Sequence, residues 1–173
     1  TPIFGVCGGY QMLGERIADA EGAEGGGEID GMGLLPVTTE FVGEKRRVRI
    51  SGKVLEAGGI LAALDGAQVE GYEIHMGRTA LYEGARPLVL LESGTEDGCQ
   101  HGNVYGTYLH GFFDAVPCRD ALFGALCKKK GVSLEAKAFD LKAYKESQYD
   151  ALASAVREHL DMELIYQILE AGL

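Results

Sequence analysis

The sequence predicts an α/β layered fold around a mixed sheet. Short apolar runs that suit strands alternate with helical stretches along the 173 residues. Several of those runs follow one another with no helix between them, so the sheet cannot be wholly parallel. The chain also opens on a telling order of strand, glycine, cysteine, two glycines and helix.

Taken in order, Pro2 to Val6 reads as a short buried strand and Gly8 to Ala20 as a helix. Leu13, Ile17 and Ala20 share one face of that helix, and Gly22 marks its stop. Glu21 to Gly33 reads as a glycine-rich acidic loop. Leu34 to Glu40 and Arg46 to Ile50 read as two strands; Arg47 and Arg49 alternate with Val48 and Ile50, which predicts a half-exposed strand. Ile60 to Leu64 suits a helical turn. Val69 to His75, Leu88 to Leu91 and Val104 to Leu109 are further strands, the last followed at once by His110-Gly111. Asp114 is the expected N-cap of a helix to about Lys130, with Pro117 in its first turn and Gly131 after its end. A last helix is expected from near Tyr149. Its residues Leu152, Val156, Leu160, Leu164 and Ile168 form an apolar stripe that should pack on the sheet.

A hydrophobic fraction of 46% is enough for a folded core, and the length suits one domain over residues 1–173. The formal net charge of -10 is spread along the chain, which argues against a nucleic-acid surface or an anionic membrane as partner. No apolar run approaches the ~20 residues of a membrane span. The four cysteines, Cys7, Cys99, Cys118 and Cys127, form no C-x-x-C pair, and Cys99 with His101 is too little for a metal site. Sparse cysteines and no signal peptide predict a cytoplasmic setting.

The most specific local signal is Gly5-Val6-Cys7-Gly8-Gly9-Tyr10-Gln11. A nucleophile on a sharp turn between strand and helix is held strained and exposed. The helix that follows offers free N–H groups and the positive end of its dipole, and both favour the reactive thiolate. The N–H of Gly8 is placed to stabilise an oxyanion. A thiol nucleophile needs a base, usually histidine. His159 lies in the last amphipathic helix and His101 in a glycine-flanked loop, which leaves His75 and His110. His110 stands at the C-terminal end of a strand, where α/β folds place their chemistry, and is the expected base.

The pattern G-x-C-x-G-x-Q resembles the nucleophile signature of class I glutamine amidotransferases. The resemblance implies their three-layer, flavodoxin-like fold with a mixed, mostly parallel sheet. It gives Cys7 the role of nucleophile, His110 that of base, and Gln11 a contact with the substrate glutamine; otherwise Gln11 is a surface residue of the first helical turn. Most relatives carry a glutamate two residues after the histidine, but position 112 is Phe112. A Cys-His dyad, or an orienting group from elsewhere, is therefore expected. Glu73 is one substitute; Asp114 is more economically a helix cap.

The runs Gly71-Tyr72-Glu73-Ile74-His75-Met76-Gly77-Arg78-Thr79 and Gly102 to Gly111, with Gly31 to Pro36 and Asp161 to Tyr166, are similar to the glutaminase domain of cobyric acid synthases. That resemblance implies glutamine as substrate and ammonia as product. A separate synthetase domain, using ATP and Mg, would spend the ammonia on carboxylates b, d, e and g of adenosylcobyrinic acid a,c-diamide. The corrinoid acceptor would meet only that domain. His75 either lines the glutamine pocket or holds a loop near it, and Arg78 pairs with a substrate carboxylate or with an internal acid. No G-x-x-x-x-G-K-[ST] loop occurs, so no cofactor is expected in this chain.

The chain begins Thr-Pro-Ile, with only six residues before Cys7. A fragment lacking the first strands of the fold is expected, and with them the loop that gives the second oxyanion N–H. Such a piece alone is expected to be weakly active or inactive. Other candidates are the glutaminase domain of cobyrinic acid a,c-diamide synthase, the glutaminase partner of a cell-wall ligase, a non-catalytic interaction domain, and a cysteine hydrolase or peptidase of similar layout.

Overall fold

The computed structural model describes residues 1–133 and 140–172. It divides into two units, Thr1–Ala136 and Lys137–Leu173. In the first, β1 (Ile3–Val6) leads into α1 (Gly8–Leu13), then β2 (Arg16–Asp19), β3 (Gly27–Asp30) and the long β4 (Val37–Val54). A 3-10 turn (Gly59–Leu64) precedes β5 (Gln68–Leu81), β6 (Val89–Leu91), β7 (Glu96–Asp97), β8 (Cys99–His101) and β9 (Val104–Thr107), and α2 (Val116–Lys130) closes the unit. The second unit holds α3 (Leu141–His159) and α4 (Met162–Ala171).

Two sheets result, one ordered β1-β9-β8, the other β3-β2-β4-β6-β7 with β5 also paired to β4. The sheets are mixed, as expected. The expected parallel majority is not found: β1 with β9 and β2 with β4 are parallel, and the other named pairings are antiparallel. The cause is the β4–β5 hairpin, whose antiparallel register runs from Val37↔Leu81 to Lys53↔Gln68. The two strands expected at Leu34 to Glu40 and Arg46 to Ile50 are therefore one strand, irregular between Phe41 and Arg46.

The helix expected from Gly8 to Ala20 stops at Leu13. Gly14 lies so close to β4 that a Cβ there would meet the Val37 carbonyl oxygen at 2.8 Å. Beyond it the burial alternates, with Ile17 and Asp19 inside, and pairing to β4 and β3 overrides the helical spacing. Part of the expected acidic loop is β3. Its turn is organised by Asp19, whose carboxylate accepts N–H groups of Ala23 (2.7 Å), Glu24 (2.8 Å) and Gly26 (2.8 Å). Those donors, Glu24 foremost, hold its pKa below the ordinary aspartate value.

Two apolar clusters stabilise the first unit. One gathers Leu61, Leu64, Val69, Leu88, Leu109, Phe112 and Cys118; the other gathers Tyr10, Leu13, Leu35, Val37, Cys99 and Tyr108. Each fully buried leucine contributes roughly 1.5–3 kcal/mol. The N-cap of α2 is Ala115, without a side-chain cap, rather than Asp114, whose N–H instead bonds the Gly111 carbonyl at 2.8 Å. The C-terminal end is as expected, with Gly131 left-handed at φ 67°.

In the second unit, the single helix expected from near Tyr149 is two helices. Asp161 caps α4 by accepting Leu164 N–H at 3.0 Å, and so divides the apolar stripe between α3 and α4. The stripe residues are exposed rather than buried. Asp161→Ala is expected to destabilise α4 by about 1 kcal/mol. The measurement is amide-exchange protection in α4, which should fall while that of α2 stays unchanged.

Candidate active site

Cys7 sits at the joint of β1 and α1 with φ 53° and ψ -117°. Among the described residues it alone, apart from glycines, has a positive φ. A non-glycine residue in such a region costs on the order of 1–3 kcal/mol, and the cost is met where the surroundings over-determine the turn. They do so here: Cys7 N–H bonds the Thr107 carbonyl at 2.9 Å, and the Cys7 carbonyl accepts Gln11 N–H at 3.1 Å. Gly5 permits the sharp return, since a Cβ there would meet Gly9 backbone and Leu13 Cδ1 at 2.7 Å. A Cβ on Gly8 or Gly9 would meet nothing within 4 Å. Glycine at these two positions leaves open space at the start of α1, where the Gly8 N–H lies.

β9 runs parallel to β1 with Val6 opposite Thr107, so both chains leave the sheet at the same end. Cys7 follows one strand and His110 the other. His110 is laced to β5 by a reciprocal bridge, His110 N–H to Tyr72 carbonyl at 2.9 Å and Tyr72 N–H to His110 carbonyl at 3.2 Å. Its ring stacks on Tyr72 at 4.9 Å between centroids. Its Nε2 is buried and makes no hydrogen bond. The Cys7 thiol donates to the Ile74 carbonyl at 3.4 Å. The two side chains therefore both rest on the stretch Tyr72–Ile74 of β5, but no hydrogen bond joins them among the described residues.

An unpredicted carboxylate shapes the approach to His110. Asp97 of β7 accepts the Thr107 hydroxyl and the Tyr108 N–H (3.2 and 3.3 Å), while Thr107 Oγ1 accepts Leu109 N–H at 3.0 Å. These bonds fix the three residues before the histidine. Burial raises the Asp97 pKa; the Thr107 and Tyr108 donors oppose this in part. Because the folded-state pKa lies above the unfolded one, the folded protein binds the proton more tightly. Stability then falls as pH rises from the unfolded aspartate value through the raised one. Asp97→Asn is expected to remove that part of the pH dependence. Urea unfolding of variant and parent, from the ordinary aspartate range upward in pH, should show their difference changing.

The other expected residues lie around the same strand. Gln11 is buried and donates to Tyr108 Oη at 3.3 Å. It passes close over Gly77, where a Cβ would meet its Nε2 at 2.6 Å. The surface alternative for Gln11 is thus excluded. His75 stacks on Tyr108 at 3.7 Å and donates through Nδ1 to the Gly77 carbonyl at 2.8 Å. Its Nε2 is buried, unbonded and 3.9 Å from Glu73 Oε2. Burial lowers the His75 pKa, which favours the neutral ring. Glu73 does not serve as the missing acid for His110: its carboxylate faces Arg46 Nε at 2.5 Å, and burial raises its pKa against that arginine. Phe112, two residues after the histidine, is buried against Phe4 at 5.1 Å. His101 of β8 bonds the Gly84 carbonyl, and His159 of α3 bonds the Ala155 carbonyl. Burial pushes the Cys99 thiol up to about 11 and raises that of Cys118 as well. Among the described residues no cluster of metal-ligating side chains is present, and no helix is long and apolar enough to cross a membrane.

A strained cysteine between strand and helix, and a histidine after the parallel neighbour, give the chain a candidate nucleophile and a candidate base at the same end of one sheet. A profile of the CobB/CobQ-like glutamine amidotransferase domain matches residues 1–117, and the chain belongs to that family. The chain is 51% identical over 99% of its length to cobyric acid synthase of Ruminiclostridium cellulolyticum, and 46% identical over 100% to that of Lachnoclostridium phytofermentans. It spans 35% and 36% of the length of these two relatives. Among solved structures, a glutamine amidotransferase from Thermotoga maritima matches 76% of this chain and 50% of its own, with 15% identity and a TM-score of 0.43.

Proposed function

We propose that this chain is the glutaminase part of a cobyric acid synthase. Cys7 Sγ attacks the side-chain carboxamide carbon of glutamine while His110 takes the thiol proton. The Gly8 N–H stabilises the oxyanion of the tetrahedral intermediate. Its collapse breaks the C–N bond, and His110 returns the proton to departing ammonia. Water then attacks the thioester with His110 again as base; glutamate leaves and the thiol is restored. Gln11, and with it His75, would border the glutamine pocket.

The observation that carries this reading is the common anchoring of Cys7 and His110 on Tyr72–Ile74 of β5. In the resting site the thiol is turned to the Ile74 carbonyl. Bound substrate would swing it towards the unbonded Nε2 of His110, as catalytic hydrogen bonds commonly tighten only in the complex. The ammonia would serve ATP-dependent amidation of corrinoid carboxylates, on a synthetase domain within the remaining length that the relatives carry. A cytoplasmic setting belongs to the same proposal.

The test is covalent labelling with an electrophilic diazoketone analogue of glutamine. Labelling at Cys7 that glutamine blocks and Cys7→Ala abolishes supports the proposal. Absence of labelling would mark a non-catalytic interaction domain, and labelling that glutamine does not block would mark a hydrolase of another substrate.

A further inference from the structure

Tyr108 is buried two residues before His110, and its hydroxyl joins α1, β5 and β4. Gln11 of α1 donates to it through Nε2 at 3.3 Å. Thr79 of β5 bonds it through Oγ1 at 2.6 Å, and is bonded in turn to Oγ1 of the buried Thr39 of β4 at 2.8 Å. The rest of the tyrosine is held as well. Its ring stacks on His75 at 3.7 Å and meets Tyr10 edge-on at 5.2 Å, and its N–H is bonded to Asp97. Burial raises the Tyr108 pKa, so the phenol keeps its proton and enters no proton transfer at the nucleophile.

What the hydroxyl holds is the Gln11 carboxamide. Gln11 lies one turn along α1 from the nucleophile, its N–H bonded to the Cys7 carbonyl at 3.1 Å. Side chains on a helix lean towards its N-terminus, so that of Gln11 leans back towards Cys7. A primary amide can present either its oxygen or its NH2 group. With Nε2 tied inward to Tyr108, Oε1 is left without a partner among the described residues, an acceptor for the N–H groups of an arriving glutamine. Gly77 leaves room for this arrangement, since a Cβ there would meet Gln11 Nε2 at 2.6 Å and Tyr108 Oη at 3.1 Å. We propose that Tyr108 is a positioning residue: its hydroxyl, braced by Thr79, fixes the Gln11 carboxamide so that Oε1 receives glutamine. This rests on the glutaminase reading and adds the groups that keep its substrate contact oriented.

The test compares two reagents on the full-length protein, with labelling of Cys7 read by peptide mass. The diazoketone analogue of glutamine depends on substrate contacts; iodoacetamide depends only on a reactive thiol. Tyr108→Phe keeps the ring and removes the hydroxyl. It is expected to lower the analogue-to-iodoacetamide rate ratio about threefold to tenfold, the worth of one neutral hydrogen bond. Thr79→Val, which removes the brace and spares the tyrosine, should lower the ratio in the same direction. In a Gln11→Ala background neither substitution should lower it further, because both act through the carboxamide that is gone. A ratio unchanged in both variants, even with a lowered unfolding midpoint, overturns the positioning role. So does a drop that persists undiminished in the Gln11→Ala background. Both results leave the glutaminase reading intact. A parent protein whose Cys7 reacts with iodoacetamide but never with the analogue overturns the glutaminase reading itself.

Discussion

Replacing Cys7 with alanine is expected to lower glutamine hydrolysis by on the order of 10⁴-fold or more, because without the thiol no thioester forms. The measurement is glutamate release by the full-length protein. If free ammonium restores amidation in the variant, the loss is confined to ammonia supply and the fold is intact. His110→Gln should cost less, about 10²–10⁴-fold, the usual range for a general base. A Cys7→Ala protein that still hydrolyses glutamine at an undiminished rate would remove the cysteine from the chemistry.

The second large effect is expected from a residue without a side chain. A Cβ on Gly71 would lie 1.8 Å from the His110 carbonyl oxygen and 3.1 Å from Leu109 Cδ2. No rotamer relieves a clash with backbone. Gly71→Ala must therefore open the Tyr72–His110 bridge and carry the histidine away from β5. A displacement of about 1 Å can cost 10²-fold in rate, and overpacking of this kind costs about 1–3 kcal/mol of stability. Steady-state hydrolysis and urea unfolding would read the two effects. Gly124→Ala is the contrast: it lies within α2 with nothing near its Cβ position, and should gain about 0.5–1 kcal/mol. Normal turnover in Gly71→Ala would mean that the bridge does not govern His110.

How much of this was legible in the sequence follows the range of each signal. Cys7, β1 and the start of α1 are marked by residues within a few positions of one another. So are the end of β9 at His110 and the left-handed Gly131 after α2. Arg46 to Ile50 and Val69 to His75 were visible as strands, but not as one hairpin, since register depends on partners tens of residues away. β2 was hidden because Leu13, Ile17 and Ala20 also fit a helix, and only pairing with β3 and β4 decides between the two. Asp97 had no local signature at all; its role arises from meeting Thr107 and Tyr108 across the sheet. The break at Asp161 did carry a signal, an aspartate placed to cap the residues after it, which the continuous apolar stripe masked.

The reciprocal bridge and the thiol-to-carbonyl contact give β5 a role beyond that of a sheet member. Nucleophile and base come from distant parts of the sequence, yet both are referenced to three consecutive residues of one strand. Strain or sliding anywhere along the hairpin reaches the two groups through a single beam. In the resting site the spacing of thiol and imidazole is thus set by the Tyr72–Ile74 peptide units between the anchors.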